Sequence, residues 1–158
     1  VVSKVGIAST MIQSAATKYA IRAVCYLAGC CDGAPVQARE IADALGIPYH
    51  FLSKILQDLA RKGVLVSMKG PGGGFRLVRP PEETSLYDVI SVVEGPLSDT
   101  ECMLGLDACS DEARCPMHDF WKSYRATFRN KMESISLVDV VRAAEKKRQV
   151  RAVVEAIE

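Results

Sequence analysis

Histidine and tryptophan are nearly absent from this sequence, with two of the first and one of the second in 158 residues. A nucleophile–base–orienter set therefore has a single candidate, a cysteine beside His118, since His50 sits in a different setting. No convincing set of catalytic partners is legible, and an enzyme is not expected. Long apolar runs are also missing. None approaches the roughly 18 residues that a spanning helix needs, and no charged-then-apolar signal opens the chain, so a cytoplasmic protein with no membrane partner is expected. Val1 to Thr10 precede an internal Met11 and read as an expression-derived leader that carries no weight.

Charge of one sign is lacking overall, with a net charge of +1, but it is unevenly placed. From Val1 to Pro80 ten Lys/Arg stand against four Asp/Glu, and from Pro81 to Glu158 ten stand against fifteen. A basic half beside an acidic half is the pattern of a chain that approaches phosphates with its first half only. The apolar fraction of 49% and charged fraction of 25% are ordinary for a globular chain, long enough for one domain or a domain with an appendage. Six cysteines in an intracellular setting point to free, redox-active or metal-bound thiols rather than disulfides.

Apolar residues at Ala20, Ile21, Val24, Leu27 and Ala28 have helical spacing, and Asp32-Gly33-Ala34-Pro35 stops that helix. Cys25, Cys30 and Cys31 on or after it read as buried or end-of-helix thiols, and a strained bridge between the adjacent pair is discounted. A second helix, Gln37 to Leu45, turns at Gly46-Ile47 into a third that starts near Pro48 and runs to about Lys62. Helix, short glycine turn and helix make a helix-turn-helix outline. Val64 to Met68 and Phe75 to Val78 then read as strands joined by Lys69-Gly70-Pro71-Gly72-Gly73-Gly74. A phosphate-cradling loop is excluded there, because no Gly-Lys-Ser/Thr follows and the next element is a strand.

The third helix leaves Tyr49, His50, Ser53, Lys54, Gln57 and Arg61 facing outward, the early ones placed to read base edges and the later ones to touch phosphate. Lys69, Arg76 and Arg79 on the wing suit DNA backbone or minor groove. Ser85 and Asp88 start a fourth helix with Leu86, Val89, Ile90 and Val93 inward, ended by Gly95-Pro96. A long helix follows Pro116, with an aromatic stripe of Phe120, Tyr124, Phe128 and Met132, and Trp121 beside it. That stripe suits pairing with a second copy, since two-fold pairing doubles a short half-site. Ser136 and Asp139 open another short helix, and the charged tail carries Val150, Val153, Val154 and Ile157 as a seam that either frays or packs on a partner.

Between the fourth helix and the long one lies Cys102–His118, with the spacing C-x6-C-x5-C-x2-H. Thiolates select iron–sulfur clusters, zinc or copper(I). Zinc sites use ligands two to four residues apart, and only Cys115 and His118 are that close, so a cluster fits the wide spacing better. Asp99, Glu101, Asp107, Asp111, Glu112 and Asp119 surround a lone Arg114, which is expected to raise the thiol pKa values and to make bare reactive thiols unfavourable. A neutral His118 as fourth ligand leaves the centre less negative than a fourth thiolate does.

TKYAIRAVCYLA, GIPYHFLSKILQDLARKGVLVS, MKGPGGGFRLVRPPEE and the C-x6-C-x5-C-P-M-H loop together resemble the IscR/NsrR/RirA family of bacterial winged-helix regulators over about Met11 to Ala144. The resemblance implies a homodimer on a palindromic double-stranded DNA operator, often as repressor. It also implies an iron–sulfur cluster sensing iron–sulfur supply, iron, nitric oxide or redox state. Cys102, Cys109 and Cys115 then match the cluster cysteines and His118 the fourth ligand of the IscR branch. In other branches an acid on the partner's first helix completes the site, and here no Asp or Glu lies between Met11 and Gly29. Tyr49, His50, Ser53, Lys54, Lys69 and Gly70 match the DNA-reading positions. The first gap of six is one longer than the IscR branch uses.

The expectation is therefore a mainly α fold with a small β-hairpin wing: a winged helix-turn-helix over residues 11–82, then a helix, a cluster loop and a dimerisation helix over 83–158. A 2Fe–2S cluster is preferred over 4Fe–4S. The alternatives are a clusterless thiol or zinc switch on DNA, and an iron–sulfur carrier that does not bind DNA.

Overall fold

A computed structural model describes residues 14–30, 33–106 and 108–155, the last six of these by backbone only. The order is α1 (Ala15–Gly29), α2 (Ala38–Leu45), α3 (Tyr49–Arg61), β1 (Leu65–Met68), β2 (Gly74–Leu77), α4 (Leu86–Glu94), α5 (His118–Glu133) and α6 (Leu137–Glu155). Residues 1–13, Cys31, Asp107 and the side chains of the Val150, Val153, Val154 and Ile157 seam lie outside the described residues.

α1 begins earlier than its apolar spacing suggests, because Ser14 caps it by accepting from the Thr17 N–H at 3.1 Å. Ala20, Ala23, Val24 and Leu27 are its buried face. α2 ends at Gly46 in the left-handed conformation, φ 61°, with the Gly46 N–H returning to the Ala42 and Asp43 carbonyls. Pro48 is the N-cap of α3 rather than its first helical residue. Leu52, Ile55, Leu56 and Leu59 on α3 are buried, each complete leucine burial contributing about 1.5–3 kcal/mol against an exposed reference.

β1 and β2 pair antiparallel, Leu65 opposite Leu77 and Met68 opposite Gly74. Val36, between α1 and α2, adds a bridge to Phe75, with N···O distances of 2.9 and 2.8 Å. A Cβ on Gly74 would lie 2.3 Å from the Val36 carbonyl oxygen, whereas one on Gly72 would meet nothing within 4 Å. Gly74 thus serves a close backbone approach. Gly74→Ala is expected to cost about 2–3 kcal/mol and to lower Tm by about 5–10 °C. Gly72→Ala, strained only by its positive φ, should cost about 1 kcal/mol; equal losses in thermal unfolding would refute the packing argument.

α4 starts with a reciprocal capping box between Ser85 and Asp88. α6 starts on the same design: the Ser136 N–H donates to Asp139 at 3.0 Å, and the Asp139 N–H donates to Ser136 Oγ at 3.2 Å. The two starts are joined by an antiparallel bridge, Leu86 N–H to Ile135 O at 2.8 Å and Leu137 N–H to Thr84 O at 2.9 Å. Val89 and Leu137 belong to the same buried cluster as Leu52, Leu56 and Leu59, so the core continues past residue 82 into α4 and α6. α6 is one helix of 19 residues rather than a short helix and a separate tail. No described helix is long and apolar enough to cross a membrane.

Candidate functional site

The loop between α4 and α5 folds back on itself. The Cys109 N–H donates to Thr100 O at 2.7 Å, Gly105 N–H to Cys102 O at 3.0 Å and His118 N–H to Cys115 O at 3.0 Å. This path brings all four expected ligands to one cavity of about 500 Å³, lined by Cys102, Cys109, Cys115 and His118 with Leu106 and small residues between them. They stand as two pairs. Cys102 Sγ is 3.7 Å from Cys115 Sγ, and Cys109 Sγ is 3.2 Å from His118 Nδ1. Among the described residues no three His, Cys, Asp or Glu side chains converge on a single metal position.

His118 is 4% exposed, and its Nε2 lies 3.0 Å from Asp111 Oδ1. Asp111 also receives Lys122 Nζ at 2.8 Å. The Lys122 hydrogen bond first, and His118 next, hold the Asp111 carboxyl down at about 2. Such a partner on the far nitrogen fixes ring orientation, as outer-shell carboxylates do for metal-bound histidines.

The acidic surroundings do not raise the Cys102 thiol as expected. It is held below its ordinary value, chiefly by the Leu104 backbone N–H, with Leu106 N–H, Cys115 and Arg125 assisting against desolvation. Amides at hydrogen-bond range outweigh exposed carboxylates screened by water. Cys25 on α1 behaves oppositely, with burial pushing its thiol up to about 11.

α5 grips the loop through residues that the aromatic stripe did not single out. Trp121 Nε1 donates to Glu101 O at 3.1 Å. Arg125 Nη1 donates to Ser98 O and Glu101 O, both at 2.9 Å, and Arg129 Nη2 donates to Leu97 O at 2.7 Å and Asp99 at 3.1 Å. Trp121 and Arg125 are 6% and 5% exposed. The signal in the sequence is W-x3-R-x3-R, one helical face, and arginines there read as solvent-facing until the loop is seen. The expected pairing stripe lies beside that grip: Phe120 and Tyr124 are exposed, Phe128 and Met132 half-buried. Phe120, Tyr124 and Phe128 stack with centroids 6.1 and 6.0 Å apart.

On α3, Tyr49, His50, Lys54 and Gln57 are exposed and Ser53 is half-buried, while Lys69, Gly70 and Arg76 are exposed on the wing. Arg39 of α2 was not anticipated; its guanidinium sits 5.0 Å over the Tyr49 ring and adds a positive charge beside the start of α3. Phe51, 66% exposed, was likewise missed and rims an apolar cavity with Tyr19, Ile55 and Val92. Two of the expected phosphate contacts also make surface ion pairs: Arg79 with the capping Asp88 at 2.8 Å, and Arg61 with Asp58.

Comparison with known proteins agrees with this architecture. Residues 13–152 match a family model described as Rrf2, iron-dependent transcriptional regulator. A Mycobacterium tuberculosis (strain H37Rv) protein assigned to the HTH-type transcriptional regulators is 34% identical over 134 residues, covering 85% of this chain and 83% of its own. The HTH-type transcriptional regulator IscR of Aliivibrio salmonicida is 30% identical, over 78% of this chain and 73% of that protein. Among solved structures, T. potens IscR has a TM-score of 0.67 at 25% identity, covering 89% of this chain and 93% of that one. CymR, the global cysteine regulator of B. subtilis, has a TM-score of 0.68 at 23% identity over 83% and 96%, a likeness of fold. With a winged fold of six helices and two strands among the described residues, a basic first half and these matches, the chain belongs to the Rrf2 family and is a winged-helix, DNA-binding transcriptional regulator.

Proposed function

We propose that this regulator is a homodimer on a palindromic operator whose affinity for DNA is set by an iron–sulfur cluster held by Cys102, Cys109, Cys115 and His118. The observation that carries the reading is the division of donors into two pairs, 3.7 Å apart for Cys102–Cys115 and 3.2 Å for Cys109–His118, around one cavity. Tetrahedral metal–thiolate bonds of about 2.3 Å hold two sulfurs roughly 3.7 Å apart. Two donor pairs suit a 2Fe–2S centre, in which each iron takes two protein ligands, better than one zinc ion that needs all four. The donor chemistry, three thiols and a buried imidazole, fits such a group. When bound it supplies a redox- and nitric-oxide-sensitive centre, and the family description, iron-dependent transcriptional regulator, supports iron as part of the signal.

The chain's own residues then carry the change outward. Trp121, Arg125 and Arg129 hold the carbonyls of Leu97, Ser98 and Glu101, so a change in loop shape acts on α5 directly. Pairing through Phe120, Tyr124, Phe128 and Met132 converts α5 movement into the separation of two reader helices. Tyr49, His50, Ser53, Lys54 and Gln57 read the operator, and Lys69, Gly70 and Arg76 grip its backbone. Winged-helix domain and sensing-and-pairing region divide near residue 82, with a shared core between them.

The test is anaerobic isolation with iron and sulfide quantitation, then DNA binding with and without the bound group. Iron and sulfide in equal amounts, with a change in operator affinity on their removal, support the reading; protein without both refutes it. Lys54→Ala is expected to weaken DNA binding about tenfold and to flatten its salt dependence by about one unit of slope. An unchanged slope would remove Lys54 from the interface.

A second reading has its own observation. Cys102 and Cys115, with sulfurs 3.7 Å apart, are placed to form a disulfide without any metal, the two thiols passing two protons and two electrons to an external thiol oxidant, and CymR, a fold neighbour, is named for cysteine regulation. Metal analysis separates the two: iron with sulfide favours the cluster, zinc alone a zinc switch, and neither a thiol switch.

A further inference from the structure

Arg125 carries a permanent positive charge at a position 5% exposed. Among the described residues no carboxylate stands in ion-pair range of it; the nearby acids are committed elsewhere, Asp99 to Arg129 and Asp111 to Lys122, Arg114 and His118. Its neutral contacts are well made. Nη1 donates to two loop carbonyls at 2.9 Å, and the guanidinium lies 5.6 Å over the Trp121 ring. The other terminal nitrogen, Nη2, lies 3.9 Å from Cys109 Sγ. Carbonyl dipoles and a ring face only partly offset a buried charge, and a full anion against it is the arrangement that folded proteins favour. The group that the geometry leaves to supply that anion is the one bonded through Cys109.

We propose that Arg125 is a positioning residue of the cysteine-loop centre, tying loop to α5, and that its buried charge balances an anionic iron–sulfur cluster and raises its reduction potential. The inference rests on the cluster reading given above. Three thiolates and a neutral imidazole leave such a group net negative, and an added electron deepens that charge. A fixed cation beside Cys109 Sγ, in surroundings poor in water, favours the added electron over its absence. The same guanidinium holds Ser98 and Glu101, so the residue that tunes the centre also fastens the loop to the pairing helix.

The experiment compares full-length wild type, Arg125→Gln and Arg125→Lys, isolated anaerobically. Iron and sulfide are quantified, helix content is followed by circular dichroism, and the midpoint potential is measured by dithionite titration of the visible spectrum. Arg125→Gln is expected to fold, to hold iron and sulfide, and to shift the reduction equilibrium at least tenfold toward the oxidised form, about 59 mV for one electron. Arg125→Lys, which keeps the charge, should stay near the wild-type potential. An unchanged potential in Arg125→Gln overturns this proposal and leaves the cluster reading standing. Wild type without iron and sulfide overturns both. If Arg125→Gln folds but takes up no cluster, Arg125→Lys decides: a retained cluster at wild-type potential supports the charge role, and equal loss overturns it.

Discussion

Cys109→Ser is expected to remove iron and sulfide together, to less than about a tenth of the wild-type content, and with them the visible absorption of anaerobic protein. Cys109 faces His118 Nδ1 at 3.2 Å, so its loss leaves the imidazole without its companion donor and one metal position with a single protein ligand. A serine hydroxyl is a harder donor that must lose a far more tightly held proton. Asp111 does not compensate, because it sits on the other ring nitrogen, 3.0 Å from Nε2, and is held by Lys122. Cys25→Ser is the control: that thiol lies on α1, outside the loop cavity, and burial holds its proton on. Iron, sulfide and the visible spectrum should stay unchanged in it. Full iron and sulfide in Cys109→Ser would remove that residue from the ligand set, and parallel loss in Cys25→Ser would point to a general folding defect.

Tyr124→Glu is expected to yield monomers at micromolar concentration and to weaken operator binding by about 100-fold or more. Tyr124 is 38% exposed at the centre of a stacked run, with Phe120, 59% exposed, before it and Phe128 after it. A carboxylate in that stripe must be desolvated on pairing but stays in water in the monomer, so the cost falls on the dimer rather than on the monomer fold. Loss of the second half-site then removes the gain from binding two linked modules to one palindrome. Sedimentation velocity and a titration with operator DNA read both effects. A Tyr124→Glu protein that sediments as a dimer with wild-type affinity would move the pairing surface elsewhere, and the exposed Met103, Leu104 and Leu106 of the loop would be the next face to test.

Much of the architecture was legible because it rests on short-range rules. The buried face of α3, the turn at Gly46, the Ser85–Asp88 capping box and the paired wing strands all follow from periodicity, turn chemistry and caps within a few residues. Element ends shifted where a single side chain decided them, as Ser14 did for α1. α6 became one 19-residue helix because the Ser136–Asp139 cap and the buried Leu137 launch it firmly, and no helix-breaking residue separates that start from the charged tail. Arg79 lies on the wing as expected and also pairs with the Asp88 carboxylate nine residues on, a contact that periodicity does not show.

By itself, the sequence determined the winged helix-turn-helix, the basic reading half and the inventory of one loop: three cysteines and a histidine. These are properties of composition and local spacing, and they need no knowledge of what lies across the fold. Only the tertiary structure decided how that inventory is arranged. Cys102 meets Cys115 and Cys109 meets His118 because an irregular loop is held to α5 by Trp121, Arg125 and Arg129. No periodicity governs an irregular loop, so its donors are paired by contacts distant in sequence. The same contacts bury Arg125 beside Cys109, although composition alone assigns such a residue to solvent.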